Sequence, residues 1–340
     1  MLALLAGRVS SSRLAGAAVL ALVLGAGVLT AATLSAARDI RYLPSTDGPV
    51  ASVAFTPDGR WAVAGCWNTI VIWDWRTGTV QRRLSGHCGP VSVLAVAPNG
   101  RHLFSGGSDH TIRQWDLLTG KQLRVLTGHD SALRGLAVSP DGRWLLSGSH
   151  DARVQLWDIE SGRPIRCFLG HRGMVKRVAF SPDGGFALSG GEDHTLRLWD
   201  VNTGSPRRCF DPHPGMIYGV AFSPCGRLVA SGCQDGGVRL FDVATGALRQ
   251  VCRGHRRSVF CVAFSPDGRH LLSSSEDRSV CLWDVATGAL VARRKAHSHW
   301  VPFVAFHPSG QLALTGSYDQ TLGLWQLPSA QGRTSTGSYH

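Results

Sequence analysis

The chain has 340 residues, 44% of them hydrophobic and 17% charged, and 35 lysines and arginines against 23 aspartates and glutamates leave a net charge of +12. That apolar fraction excludes a disordered chain, while 41 glycines and 16 prolines favour many tight turns over long helices. The nine cysteines form no C-x-x-C pair and no regular Cys/His metal spacing, which reads as mostly reduced, buried or half-buried thiols and not a disulfide or zinc framework. The basic excess is almost wholly arginine, since Lys121, Lys176 and Lys295 are the only lysines. Genome composition and selection for bidentate anion recognition both produce such a skew. A basic surface attracts nucleic acid, anionic lipid or acidic proteins, and charge alone does not choose among them.

The N-terminal 37 residues stand apart. Residues 14–37 carry no charge and are rich in Ala, Leu, Val and Gly, long enough for an apolar helix at roughly 20 residues per membrane span. A retained single-pass anchor fits this length. A cleaved signal peptide ending near Ser35-Ala36-Ala37 is the second reading, and a non-functional Ala/Gly-rich extension is the third. Arg8 and Arg13 precede the segment and Arg38 and Arg41 follow it, so the side of the membrane is not set by flanking charge. The expectation is a membrane-associated protein, or an exported one if the segment is removed.

From residue 38 onward the sequence repeats. Trp73, Trp115, Trp157, Trp199, Phe241, Trp283 and Trp325 follow one another at 42-residue intervals, and Asp comes next in all but the last, where Gln326 stands. This period fits a four-stranded blade and excludes the shorter helical repeats. In each unit a first strand reading V-x-x-V-A-F ends in a Pro-x-Gly turn such as Pro57-Asp58-Gly59 or Pro140-Asp141-Gly142. A second turn follows the Trp-Asp pair and ends in Gly, as in Thr119-Gly120 and Thr245-Gly246. Short strands between such turns give an antiparallel meander. The first strand always carries an alanine (Ala54, Ala95, Ala137, Ala179, Ala221, Ala263, Ala305), as required where innermost strands converge on an axis.

The seventh unit stops at Leu324-Trp325-Gln326-Leu327, which would leave an open strand edge. The missing strand is at the other end: Ile40-Arg41-Tyr42-Leu43 before Gly48-Pro49-Val50 parallels Gln81-Arg82-Arg83-Leu84 before Gly89-Pro90-Val91. The expected fold is therefore all-β, a single closed seven-bladed propeller of four-stranded antiparallel blades over 38–327. An N-terminal apolar helix precedes it, and a disordered polar tail over 328–340 follows.

These motifs resemble the WD-repeat family, and the resemblance covers about residues 38–327. It implies a hydrogen-bonded tetrad in each blade. The histidines are His87, His129, His171, His213, His255 and His297, and the hydroxyls are Ser105, Ser147, Ser189, Ser231, Ser273 and Thr315. The carboxylates are Asp109, Asp151, Asp193, Asp235, Asp277 and Asp319, closed by Trp115, Trp157, Trp199, Trp283 and Trp325. Phe241 cannot donate, so the fifth tetrad should be weaker. In the first blade Ala64 replaces Ser, Asn68 replaces Asp, and Ser45-Thr46 stand where Gly-His belongs. That blade must rely on apolar packing, and its seam should open first.

No enzyme is legible. The tetrad histidines and aspartates fall one per blade and cannot converge on a metal, no P-loop, dinucleotide or kinase motif occurs, and Ser147-Gly148-Ser149 is no nucleophile elbow. No catalytic residue, cofactor, metal or small-molecule substrate is expected. The resemblance implies instead a protein-interaction scaffold that binds a peptide or protein on the narrower face. It maps candidate partner-binding residues to Trp67, Arg134, Met174, Lys176, Met216, Tyr218, Phe260, Trp300 and Tyr318, with His150, Glu192, Gln234 and Glu276 nearby. Bacterial WD-repeat proteins suggest a second reading, a regulatory or sensor propeller acting in trans with a separate signalling kinase. A nucleic-acid-binding propeller ranks last, because no base-stacking module accompanies the charge. Outer-strand cations (Arg82, Arg83, Arg166, Arg207, Arg208, Arg293, Arg294, Lys295) read as edge protection, or as a lipid or nucleic-acid contact.

Overall fold

The computed structural model describes residues 40–43, 47–210 and 213–328. The apolar helix expected over 14–37, and the tail beyond Pro328, lie outside the described residues. Among the described residues no helix is long and apolar enough to cross a membrane.

The described chain forms 28 strands in seven four-stranded antiparallel sheets, each but the last built from consecutive strands. Blade 3 shows the pattern: Leu133–Val138 innermost, then Trp144–Ser149, Val154–Asp158 and, outermost, Pro164–Phe168. The seventh sheet takes Phe303–Phe306, Leu312–Gly316 and Leu322–Gln326 from the end of the chain and Ile40–Leu43 from its start. Register runs Ile40↔Trp325 to Leu43↔Leu322, so the edge of Leu322–Gln326 is paired.

Both faces of each blade are apolar, so the core lies between blades. Each apolar cluster straddles one seam. Val63, Ile70 and Ile72 of blade 1 meet Val91, Leu94 and Trp115 of blade 2, and Leu43 and Leu324 of blade 7 meet Val50 and Trp73 of blade 1. The closing seam has a further support that the sequence did not suggest. His307 packs edge-on to Phe55 and Trp75 at 5.0 and 5.4 Å, its Nε2 lies 3.0 Å from the Gly59 carbonyl, and Trp75 Nε1 donates to the same carbonyl at 2.7 Å.

The turns explain the repeated small residues. In Trp-Asp turns the Asp Oδ1 accepts from the backbone N–H and hydroxyl three residues on, as Asp116 does from Thr119 (2.8 and 3.0 Å) and Asp242 from Thr245 (2.8 and 2.9 Å). The closing glycines have φ near +75°, for example +78° at Gly246. They also give room to an arginine from the outer strand of the preceding blade. Arg41, Arg124, Arg166 and Arg208 donate to carbonyls of the next blade's turn, at Arg76 (2.9 Å), Glu160 (2.9 Å), Val201 (2.6 Å) and Thr245 (2.9 Å). Part of the outer-strand basicity is thus a clasp between blades. In the Pro-x-Gly turns an Asp collects a hydroxyl and a backbone N–H, as Asp141 does from Ser139 and Arg143 (2.5 and 3.0 Å). Cys225 occupies this place in blade 5, 3.5 Å from the Ser223 hydroxyl. That hydrogen bond, followed by the Arg227 N–H, holds the exposed thiol below its usual pKa.

Leu43 is 2% exposed at the closing pair. Leu43→Ala is expected to cost about 2–5 kcal/mol of unfolding free energy by urea denaturation, as for other buried Leu truncations. A loss under about 1 kcal/mol would mean that the N-terminal strand does not hold the ring.

Candidate functional site

The tetrad residues form chains in the order the sequence implied. His87 Nδ1 lies 2.8 Å from Asp109 and its Nε2 2.7 Å from Ser105, whose oxygen also accepts from Trp115 Nε1 at 2.8 Å. The same set recurs at His129/Asp151/Ser147/Trp157, His171/Asp193/Ser189/Trp199 and His255/Asp277/Ser273/Trp283. Three blades depart from it. In blade 7 His297 reaches Asp319 (3.2 Å) and Thr315 (2.8 Å), but the Thr315 hydroxyl turns to the Gly323 carbonyl, and buried Trp325 Nε1 has no hydrogen-bond partner among the described residues. In blade 5 His213 Nε2 meets Ser231 at 2.7 Å, while the Asp235 carboxylate is gripped by Arg239 at 2.6 and 3.1 Å. Arg239 had no place in the sequence reading. In blade 1 Asp47 receives Thr69 and Arg83 (3.3 and 2.9 Å), a polar contact the sequence did not reveal, and Trp73 Nε1 is buried without a partner among the described residues.

These groups are structural. The shared serine hydroxyls are fully buried, and each histidine and aspartate engages groups of its own blade. Burial pushes the His87 and His297 pKa values below the ordinary 6.5 despite the neighbouring carboxylate. For Asp109, burial alone would raise the pKa. His87, the Cys88 N–H and Thr111 outweigh it and hold the carboxyl below the ordinary 3.8; Asp193 and Asp277 are held down likewise.

The open site is at the channel mouth, and a backbone irregularity creates it. The innermost strands of blades 2 to 6 each carry a bulge just after their leading aliphatic residue, between Val91/Val93, Leu133/Gly135, Val175/Arg177, Ile217/Gly219 and Val259/Cys261. A bulge leaves one residue out of the ladder and re-aims its side chain. The residues so released are Ser92, Arg134, Lys176, Tyr218 and Phe260. Together with Ala51, Arg177, Trp300, Pro302 and Tyr318 they line a cavity of about 200 Å³. All seven blades contribute, which only the central axis permits.

The wall is divided. Blades 5 to 7 supply a chain of rings: Tyr218–Phe260 at 5.3 Å, Phe260–Trp300 at 5.9 Å and Trp300–Tyr318 at 6.0 Å, with His299 5.9 Å from Tyr318. Trp300 is 40% exposed. Blades 3 and 4 supply Arg134, Lys176 and Arg177. Arg134 Nε donates to His150 Nε2 at 3.2 Å, and burial, then Lys176 and Arg134, lower the His150 pKa to about 4. Of the remaining candidates, half-buried Met216 lies against the Tyr218 hydroxyl (3.4 Å) and Met174 against Lys176 Nζ (3.2 Å), so each contacts a lining residue without lining the cavity itself. Trp67 is 57% exposed and stands outside the ring cluster. The sequence reading missed Arg177 and Pro302, although Pro302 repeats the period of Phe260 and Tyr218.

Elsewhere a concavity of about 1190 Å³ is an open groove on the opposite face beside Arg227, Asp242, Arg249 and Asp284. Within it Arg249 and Asp242 form an ion pair (2.8 Å). Among the described residues no three His, Cys, Asp or Glu side chains converge as metal ligands.

A seven-bladed propeller with repeating His–Ser–Asp–Trp chains and a lined axial mouth defines the class. The family model for the WD domain, G-beta repeat, matches seven consecutive segments: 38–74, 78–116, 120–158, 162–200, 204–242, 246–284 and 288–326. The chain belongs to the WD40 family, whose propellers typically serve as protein-interaction scaffolds. It is 49% identical over 63 residues to a periodic tryptophan protein 2 homolog of Neurospora crassa, covering 18% of this chain and 7% of that protein. A Mus musculus protein of the same name is 30% identical over 76 residues, 22% of this chain and 8% of its own length. Nuclear distribution protein PAC1 of Coccidioides posadasii is 36% identical over 85 residues, 22% and 18% respectively. The chain thus spans less than a fifth of each of these relatives.

Two stability tests follow from the tetrads. Ser147→Ala strands Trp157 Nε1 and His129 Nε2 and is expected to cost about 2–4 kcal/mol, at ~1–3 for each buried group left unpaired. Ala64→Ser, which offers Trp73 Nε1 the missing acceptor, is expected to add about 1 kcal/mol by the same denaturation measurement. Equal and small effects would deny the tetrads a role. The pH dependence is also signed. A histidine with a lowered folded pKa and an aspartate with a lowered folded pKa both leave the unfolded chain holding more protons, so stability falls on acidification. The melting temperature should be level between about pH 7 and 8, decline below the histidines' ordinary 6.5, and fall more steeply below the aspartates' ordinary 3.8. A melting temperature that rises between pH 6.5 and 4 would contradict this.

Proposed function

We propose that this propeller is a non-enzymatic scaffold that holds a peptide or protein partner at the mouth of its channel, on the face that family resemblance marks as the narrower. One observation carries the reading: four rings from three successive blades, Tyr218, Phe260, Trp300 and Tyr318, pack against one another around the mouth, and the Trp300 ring stays well exposed. Clustered aromatic anchors in a concave, partly desolvated site are what interface hot spots are made of. Internal packing of the ring does not require a Trp there, because the leading position before the first strand is Pro49, Pro90, Ala132 or Ser258 in other blades.

Trp300→Ala and Tyr318→Ala are expected to abolish co-purification of the partner, identified by mass spectrometry with the wild-type protein as bait, while the melting temperature changes by no more than a few degrees. Partner recovery unchanged in both variants would refute the channel mouth as the binding site.

A further inference from the structure

The channel mouth also carries information about the chemistry of what it holds. Resting on the reading above, we infer that the partner inserts an acidic side chain, aspartate or glutamate flanked by an apolar residue, between Arg134 and Lys176 on one wall and Tyr218, Phe260 and Trp300 on the other.

No described ion pair engages the cationic wall. Arginines of blades 3 to 6 pair with Asp130, Asp151, Asp235, Asp242, Glu276 and Asp277, and none of the described ion pairs includes Arg134, Lys176 or Arg177. Arg134 Nε is bonded to His150, a neutral imidazole at physiological pH that balances no charge. Lys176 Nζ has a thioether, Met174 Sδ, at 3.2 Å. Arg177 lies 4.1 Å from the Phe303 ring, its NH1 donates to the Arg134 carbonyl at 3.3 Å, and its buried Nε has no partner among the described residues. Of the two rim carboxylates, Glu276 is held by Arg257 (3.1 Å) and Ser258 (2.9 Å), leaving Glu192 to act on Lys176 through space. Three cations facing one uncommitted carboxylate leave a surplus of positive charge in a partly desolvated mouth, and an incoming carboxylate relieves that cost.

Size and shape narrow the occupant. A volume of about 200 Å³ admits one side chain and its neighbour and is small for a cofactor, whose sites run from roughly 300 Å³ upward. The aromatic half would stay uncovered by a free inorganic anion. Glu192 and Glu276 on the same rim oppose a doubly charged phosphate more than a single carboxylate.

The test is a phage-displayed random dodecapeptide selection on the full-length protein, followed by fluorescence anisotropy of a labelled selected peptide and of its Glu→Gln, Glu→Lys and phosphoserine counterparts. The expected result is enrichment of Asp or Glu beside Phe, Leu or Met. Lys176→Glu should then weaken the acidic peptide at least about tenfold while leaving the Gln counterpart within about twofold. Arg134→Gln provides a second variant, and a thermal melt shows that each is folded. Binders that need Trp300 but show no acidic preference, or whose acidic residue is indifferent to both Lys176→Glu and Arg134→Gln, overturn this inference alone. Tighter binding of the phosphoserine peptide also overturns it. Binders indifferent to Trp300→Ala, or no binders at all, overturn the channel-mouth reading beneath it.

Discussion

A four-stranded blade that is apolar on both faces cannot be buried by itself, and it finds cover only between two neighbours of the same kind. The arrangement therefore has to close, and closure rests on the pairing of Ile40–Leu43 with Leu322–Gln326. That pairing gives the seventh blade its fourth strand and brings Leu43 into the cluster shared by blades 7 and 1. Without it, one seam would face water and Leu322–Gln326 would present an open edge for association. Seam clusters, turn clasps and channel lining all presuppose the closed ring.

Closure fixes the axis, and the axis determines the site. Innermost strands converge there, and most of their inward side chains stay small or leave the ladder, while Arg177 and Phe303 stay in it and stack on each other. The recurring alanine meets the first condition, and the bulges at Ser92, Arg134, Lys176, Tyr218 and Phe260 meet the second. The scaffold is thus uniform where blades pack and free to vary at a few positions per blade where the channel opens. In this chain the variation falls into a cationic third and an aromatic arc. In blades 2, 3, 4 and 6 the complete tetrads stiffen the blade from within by joining the loop before it to its second and third strands.

Where a blade lacks its tetrad, other contacts take over. The first blade, expected to be the weakest, has Asp47 between Thr69 and Arg83 on one side and the Phe55–His307–Trp75 cluster on the other. Blade 5 replaces the Trp donor with Phe241 and gives the Asp235 carboxylate to Arg239. Arginine also spans neighbouring blades at Arg124, Arg166 and Arg208, where its long planar head reaches turn carbonyls over a glycine floor. Structural use within the ring therefore accounts for part of the basic excess.

By itself the sequence determined the number of blades, their four-strand composition, the closing strand and the order of the tetrad partners. Each of these is a periodic property, and a 42-residue period repeated along the chain leaves little freedom in how it folds. The candidate lining residues Arg134, Lys176, Tyr218, Phe260, Trp300 and Tyr318 were legible for the same reason, as counterparts at fixed offsets. Only the tertiary structure decided that a bulge turns most of them inward, that Met174 and Met216 contact lining residues without lining the cavity, and that Trp67 stands apart. It alone revealed Arg177, the Arg239–Asp235 pair, the interblade arginines and the His307 seam. These contacts join residues whose spacing is non-periodic or whose partners lie on a different blade, and the geometry that brings them together exists only once the ring has closed.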